Sequence, residues 1–459
     1  MTDLKNEAKT VKRRKAKLSL GVLLTAIFFL GLLAGARGDR VVGNAEGEEA
    51  YDYLKTYADV IDIVKANYVD KVKDRDLIYA SIKGMLESLD PHSSFLTSEM
   101  YEDMQTEEKG QFGGIGVEVT VEDGLPTVIT AIEDTPAFKA GLKSGDYIVK
   151  IDGKLTRNMS MEDVVKLIRG RQGTPVTLTI MRRGFDFPKD YQVTRDVIKV
   201  KSVKYRMLDD KYGYVRITEF QERTGKDLDA AVKELQQSAK GGLKGILLDL
   251  RNNPGGLLDQ AVEVSDRFIS DGLITYIEGR KPDEKVTFAA HKKNDYTGPL
   301  VVLVNEGSAS GSEIVAGALQ DSKRAIVVGT KTFGKGSVQT IIPLADGSAV
   351  RLTTAKYYTP SGRLIQADGI NPDIVVENDF TRKKGDKYTP LKEKDLDKHL
   401  EGTKKPEEKK PDEKKTDDKK SDVSAPALNP DLTVKSDEDD VQLVMARQML
   451  KSWDALRGK

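Results

Sequence analysis

Two short runs, GILLDL at residues 245–250 and LVVLV at residues 300–304, set the strongest limit on what this chain can fold into. Both are apolar almost throughout, with no polar alternation. A strand buried on both faces has this composition, and such strands belong to parallel sheets covered by helices. Each run is followed by a polar turn and then by apolar residues at helical spacing, over residues 257–268 after the first and 311–319 after the second. Strands alternating with helices predict an α/β core with a mixed or parallel sheet. Residues 323–330 and 336–343 are expected to continue that sheet.

The chain has 459 residues, 38% hydrophobic and 32% charged, which suits two or three domains with real cores plus charged surface or tails. Its 73 basic and 73 acidic side chains balance, so nothing points to nucleic acid as a partner. There is no cysteine, which excludes disulfides, thiolate metal sites and a cysteine nucleophile, and fits an exported protein. No P-loop, HExxH or EF-hand spacing occurs, so no cofactor or metal is expected.

Residues 1–17 carry Lys9, Lys12, Arg13, Arg14, Lys15 and Lys17, and residues 18–36 carry no charge. The uncharged stretch is close to the ~20 residues that cross a bilayer. Positive charge ahead of it predicts an N-in orientation, with everything after it on the extracytoplasmic side of a bacterial inner membrane. Ala34-Gly35-Ala36 also resembles a signal-peptide cleavage site. The segment is therefore either a membrane anchor or a signal peptide, and its length beyond the usual h-region of about 7–15 residues favours the anchor.

Residues 48–105 form a helical region: Tyr53, Leu54, Tyr57, Val60, Ile61 and Val64 recur at helical spacing, as do Ile78, Ile82, Met85 and Leu86, before Asp90-Pro91 stops the second helix. This region is expected to be a packing arm or a contact within a homo-oligomer. At the other end, residues 379–440 form a charged linker. Within it residues 404–422 are only Lys, Asp, Glu, Thr, Ser and Pro, too polar to bury a core and expected to be disordered. Residues 441–459 regain helical periodicity. A helix that short is marginal alone, so it must dock on the core, on another copy or on a partner such as an adaptor protein.

The segment between, residues 187–378, carries the chemistry. Ser310 lies in NEGSASGSE (residues 305–313), and Lys335 and Gln339 lie in TFGKGSVQ (residues 332–339). A serine hydroxyl needs a base to become a nucleophile. The chain has only three histidines, His92, His291 and His399, and none has an evident partner motif. A lysine can serve if burial disfavours its ammonium form; lowering its pKa by roughly 3 units takes about 4 kcal/mol of differential interaction. Gln339, four residues after Lys335, could orient a neutral amine without stabilising its charged form. Ser308 and Ser312 rival Ser310 by motif shape, and Lys335 could be an ordinary surface lysine. Ser310 and Glu313 also fit a helix capping box, which is compatible with catalysis because a helix start can hold an oxyanion. The N–H of Gly311 is the first expected oxyanion donor. Gly255 or Gly256, after the strand at 245–250, is the second, with Asp249 and Arg251 supporting that loop.

Residues 106–186 form a separate module: FGGIGVEV at 112–119, PAFKAGLKSGDYI at 136–148, an amphipathic helix at 161–168 and a strand at 176–180. This pattern resembles a PDZ domain, mainly β with helices, of the bacterial permuted type. Such domains take a free C-terminus as an added strand and capture its carboxylate with clustered backbone N–H groups. Here the turn of Gly113, Gly114, Ile115 and Gly116 would be that carboxylate loop. Arg169, at the end of the helix, would report peptide occupancy by pairing with a carboxylate or by holding an interdomain contact; it could equally be a helix-end charge before a cap glycine.

With DLRNNPGG (residues 249–256), LDPHSSF (residues 89–95) and YYTPSG (residues 357–362), the serine and lysine segments resemble the carboxyl-terminal processing peptidases, or tail-specific proteases. The matches run in the family's order over residues 50–378. The resemblance implies a serine endopeptidase that cuts protein substrates near their free C-termini, with Ser310 selected over its neighbours as nucleophile, Lys335 as base and Gln339 as its partner. The competing expectation is a peptide-binding scaffold that has lost activity. Such a scaffold should lack one of the three residues, and this chain has all of them.

Overall fold

Residues of the two apolar runs point alternately to two covered faces, which is why neither run alternates in polarity. In the computed structural model, which describes residues 44–132, 134–291, 296–377, 391–402 and 437–457, strands Gly245–Asp249 and Leu300–Val304 pair in parallel at the centre of a six-stranded sheet. Val203–Met207, Tyr212–Ile217, these two, Ile326–Gly329 and Ile374–Val375 follow in that order, and all but the first pair are parallel. Ile246, Leu248, Val302 and Val304 face one cluster with residues of helices Thr224–Ser238, Leu258–Asp266 and Gly311–Asp321.

Leu247, Val301 and Leu303 face the other side, where Leu443, Ala446 and Leu450 of helix Val441–Arg457 cover them. The C-terminal helix thus docks on the core. Each fully buried leucine contributes about 1.5–3 kcal/mol, enough to hold a helix that would be marginal alone.

Strand Ser337–Pro343 departs from expectation. It pairs antiparallel with Ala349–Tyr358, in a second sheet that also contains Ser94–Leu96, Leu273–Gly279 and Lys285–Ala289. Local pattern identifies a strand but not its neighbour, and this one is only partly buried. Ser310 and Lys335 therefore come from different sheets.

The module's sheet contains Val117–Glu122, Leu125–Ala131, Tyr147–Ile151, Lys154–Leu155, Pro175–Met181 and Lys189–Thr194. Its core includes Ile115, Val128, Ile148, Val164, Leu178, Ile180 and Val193. The sheet runs past residue 186, because the polar-looking strand Lys189–Thr194 pairs with Pro175–Met181 and turns Val193 inward. Just outside it, Gln111–Gly114 pairs antiparallel with Asp196–Lys199, so the segments entering and leaving the module are stitched together. Gly113 and Gly114 therefore lie in a strand rather than a turn.

The chain divides after Ala80. In the first unit, helix Asn44–Asn67 exposes Tyr51, Tyr53, Leu54, Val60 and Ile63, and Lys65 pairs with Asp74 at 2.9 Å. Among the described residues no helix is long and apolar enough to cross a membrane. The basic segment 1–17, the apolar segment 18–36 and most of the charged linker lie outside them.

Candidate active site

Strand Leu300–Val304 ends at the loop that carries Ser310, and helix Gly311–Asp321 begins on the next residue. Ser310 sits at φ 52°, ψ −112°, a region non-glycine residues occupy at a cost of order 1–3 kcal/mol and chiefly at functional positions. Its rivals are committed elsewhere. Ser308 Oγ donates to the Leu250 carbonyl at 2.8 Å and Ser312 Oγ to the Asn253 carbonyl at 2.9 Å, both buried. The side chain of Ser310 instead lies beside the Tyr357 hydroxyl, whose pKa burial pushes up to about 12.

Glu313 does more than cap the helix. Its Oε2 accepts the backbone N–H of Ser310 at 2.9 Å and that of Lys335 at 2.9 Å. Its Oε1 accepts the Gly334 N–H at 2.8 Å and the Thr332 hydroxyl. Two amides on one oxygen can be no farther apart than twice the bond length, so one carboxylate fixes the Ser310 backbone against that of Lys335. Burial pushes the Glu313 carboxyl up to about 7, while its four donors favour the charged form.

Lys335 has the electrostatic setting a base requires. Burial, and then the Arg351 guanidinium, hold its ammonium below the ordinary lysine range, outweighing Glu393, Glu313 and Asp90. Arg351 Nε is itself buried without a hydrogen-bond partner. The Gln339 amide nitrogen donates to Ser337 Oγ at 3.0 Å and Thr353 Oγ1 at 3.4 Å. The ladder to Ala349–Tyr358 shifts register between Val338 and Gln339. Thr353 in turn donates to Asp90, which also holds the N–H groups of His92 and Ser93.

Of the expected oxyanion residues, Gly255 closely approaches Ser310 and Gly311. A Cβ on Gly255 would stand 2.7 Å from Ser310 Cβ and 3.0 Å from the Gly311 nitrogen, so only glycine permits this approach. The N–H of Gly255, however, is already given to Asn253 Oδ1 at 2.9 Å. Gly256 is held beside Phe220. Asn253 organises the loop: its carbonyl accepts Ala309 N–H at 3.0 Å and its amide nitrogen donates to the Ile217 carbonyl at 3.0 Å. Asp249 and Arg251 lie at its base, in contact through Arg251 Nη2 and Asp249 Oδ2 at 2.7 Å.

In the module, Ile115 is fully buried and its carbonyl accepts the Ala137 N–H at 2.7 Å. The Gly113 carbonyl accepts the Gly170 N–H at 3.2 Å, and a Cβ on Gly113 would meet the Gly170 carbonyl at 2.2 Å. Gly116 has φ 76°. Arg169 follows helix Met161–Ile168, donates from Nη1 to Glu107 Oε1 at 2.7 Å and lies 4.7 Å from the centre of the Phe112 ring. Glu107 belongs to helix Ser98–Glu108, which leads into the module.

Sequence reasoning gave Glu313 only the capping role and gave Tyr357 no role, although Tyr357 stands in a motif already singled out. Nothing local pointed to Arg351, which reaches the site from another strand.

The peptidase family S41 model matches residues 211–376 and a PDZ domain model matches residues 127–182, downstream of Gly113–Gly116. The chain is 50% identical over 358 residues to the carboxy-terminal-processing protease of Bartonella bacilliformis, covering 77% of this chain and 82% of that one. It is 38% identical over 397 residues to the carboxy-terminal processing protease CtpA of Bacillus subtilis, covering 83% and 84%. Among solved structures, the photosystem II D1 C-terminal processing protease is 32% identical with a TM-score of 0.45, covering 68% of this chain and 84% of that one.

Proposed function

The chain belongs to peptidase family S41, the carboxy-terminal processing proteases, and we propose that in it Ser310 is the nucleophile, Lys335 the general base, and the N–H groups of Gly311 and Gly256 the oxyanion donors. The protein is a serine peptidase with a PDZ domain for substrate recognition. The observation that carries the assignment is the shared Glu313 carboxylate, which holds the backbones of Ser310 and Lys335 on one oxygen.

In this mechanism the neutral Lys335 amine takes the Ser310 proton as Oγ attacks the scissile carbonyl. Negative charge then develops on the carbonyl oxygen, where two fixed amides stabilise it without reorganising. Lys335 passes the proton to the leaving amine, and water hydrolyses the acyl-enzyme by the reverse sequence. Gln339 acts indirectly, through the Ser337–Thr353–Asp90 contacts that seat the lysine loop.

The PDZ domain presents the segment of Gly113, Gly114, Ile115 and Gly116 to a substrate's C-terminal carboxylate through its backbone, since the Ile115 side chain is buried. Arg169 couples occupancy to the helix entering the module through Glu107. The uncharged segment at 18–36, as anchor or signal peptide, supports a location at the outer face of a bacterial inner membrane, the exposed apolar side of helix Asn44–Asn67 supports self-association, and an adaptor is a further candidate partner. The test is cleavage of an unfolded protein by wild-type, Ser310→Ala and Lys335→Ala enzymes, with products identified by mass spectrometry. Loss of cleavage in both variants supports the dyad; a wild type that binds tails but never cuts would support the scaffold.

A further inference from the structure

Arg251 opens the loop that carries Asn253, Gly255 and Gly256, and its guanidinium is held from two directions. Nε and Nη2 donate to Asp249, at 3.0 and 2.7 Å. On the opposite edge Nη1 donates to Asp440 Oδ1 at 2.9 Å and Nη2 reaches Asp440 Oδ2 at 2.8 Å. Nη1 also donates to Gln442 Oε1 at 3.1 Å. The Arg251–Asp440 contact is thus a two-point pair, the geometry that fixes a guanidinium in direction as well as charge. Asp249, Arg251, Asp440 and Gln442 are all buried. Asp249 already balances the arginine's charge, so the second carboxylate adds orientation rather than neutralisation.

Asp440 and Gln442 stand at the start of the C-terminal helix, far along the chain from Arg251. Asp440 Oδ1 also accepts the Leu443 N–H at 2.9 Å, and Gln442 donates to the Val376 carbonyl at 2.8 Å, so the helix start is itself fixed. From Arg251 the chain runs through Asn252 to Asn253, which positions Gly255 by its side chain and the Ser310 loop by its carbonyl.

We infer that Asp440 is a positioning residue for catalysis: the C-terminal helix, through Asp440 and Arg251, sets the oxyanion loop against Ser310. The inference rests on the oxyanion assignment above. It makes the last helix of the chain part of the active-site assembly as well as a cover for the sheet.

The test uses the full chain with Asp440→Ala, Asp440→Asn and Asp440→Glu, and with Leu450→Ala as a packing control in the same helix. kcat and KM are measured on a short peptide well below each variant's melting temperature. Asp440→Ala should lose kcat on the order of tenfold with KM nearly unchanged, because a small misplacement of the catalytic groups slows chemistry without affecting binding. Asp440→Glu should recover part of that loss, and Leu450→Ala should lower the melting temperature while keeping kcat. If Asp440→Ala does not fold, Asp440→Asn, which keeps an acceptor oxygen at the helix start, gives the same comparison. Wild-type kcat in the folded Asp440 variants, with only a lowered melting temperature, would overturn the inference. Ser310-independent cleavage by the wild type would instead overturn the dyad assignment, and this inference with it.

Discussion

Ser310 and Lys335 are joined at their backbones: both amides donate to Oε2 of Glu313, each at 2.9 Å. In apo enzymes the side-chain contacts of a catalytic pair often tighten only with substrate. The shared carboxylate sets the spacing of the two backbones.

Removing either partner should abolish proteolysis. Ser310→Ala and Lys335→Ala are expected to lose at least about 10³-fold in kcat/KM, since the two act as a unit, with far-UV circular dichroism unchanged. Gln339→Ala should cost less, because its amide reaches Ser337 and Thr353. Ser310→Gly should be inactive yet more stable by about 1 kcal/mol, as glycine relieves the positive φ. Substantial cleavage by Lys335→Ala would refute the dyad.

Glu313 gives activity and stability opposite pH dependences. Its folded pKa, about 7, lies above the ordinary 4.5. Between those values the folded state binds the extra proton, so its contribution to stability falls as pH rises. Over the same interval deprotonation restores all four acceptor positions, and loss of the Lys335 proton becomes more favourable, so kcat/KM should rise with pH. In Glu313→Gln both trends should weaken and kcat should drop on the order of tenfold or more. An unchanged pH profile in that variant would rule out the role of Glu313.

Gly255→Ala should damage both fold and function. Its Cβ would stand 2.7 Å from Ser310 Cβ, at a residue whose φ is 113°. A loss of about 1–3 kcal/mol in chemical denaturation is expected, together with a fall in kcat larger than any change in KM. A fully active Gly255→Ala enzyme would mean that the loop does not set the oxyanion site.

Arg169→Ala should leave stability within about 1 kcal/mol, because the Arg169–Glu107 pair is exposed. Cleavage of long substrates ending in a PDZ-recognised tail should change relative to short peptides lacking one. Wild-type rates on every substrate would leave Arg169 as a helix-end charge.

How much the sequence revealed follows from how local each feature is. The central strands were legible because burial on both faces leaves little choice but Ile, Leu and Val. Ser310 and Lys335 stood out through the family resemblance of their segments, since motif shape alone does not separate Ser310 from Ser308 and Ser312. The sheet assignment of Ser337–Pro343 was not legible, since its partner Ala349–Tyr358 is chosen by packing. Nor was Lys189–Thr194, where only Val193 is fully buried. The Arg251–Asp440 pair joins residues separated by most of the catalytic segment and the charged linker, and no local spacing encodes it.

Placing Ser310 on a parallel sheet and Lys335 on an antiparallel one makes alignment a joint property of both. Ile274 and Tyr357 of the antiparallel sheet belong to the same core as Ile246 and Val302 of the central one, so a slip of one sheet past the other would disturb shared packing before it parted Ser310 from Lys335. Lost alignment would therefore register in a melting curve as well as in turnover.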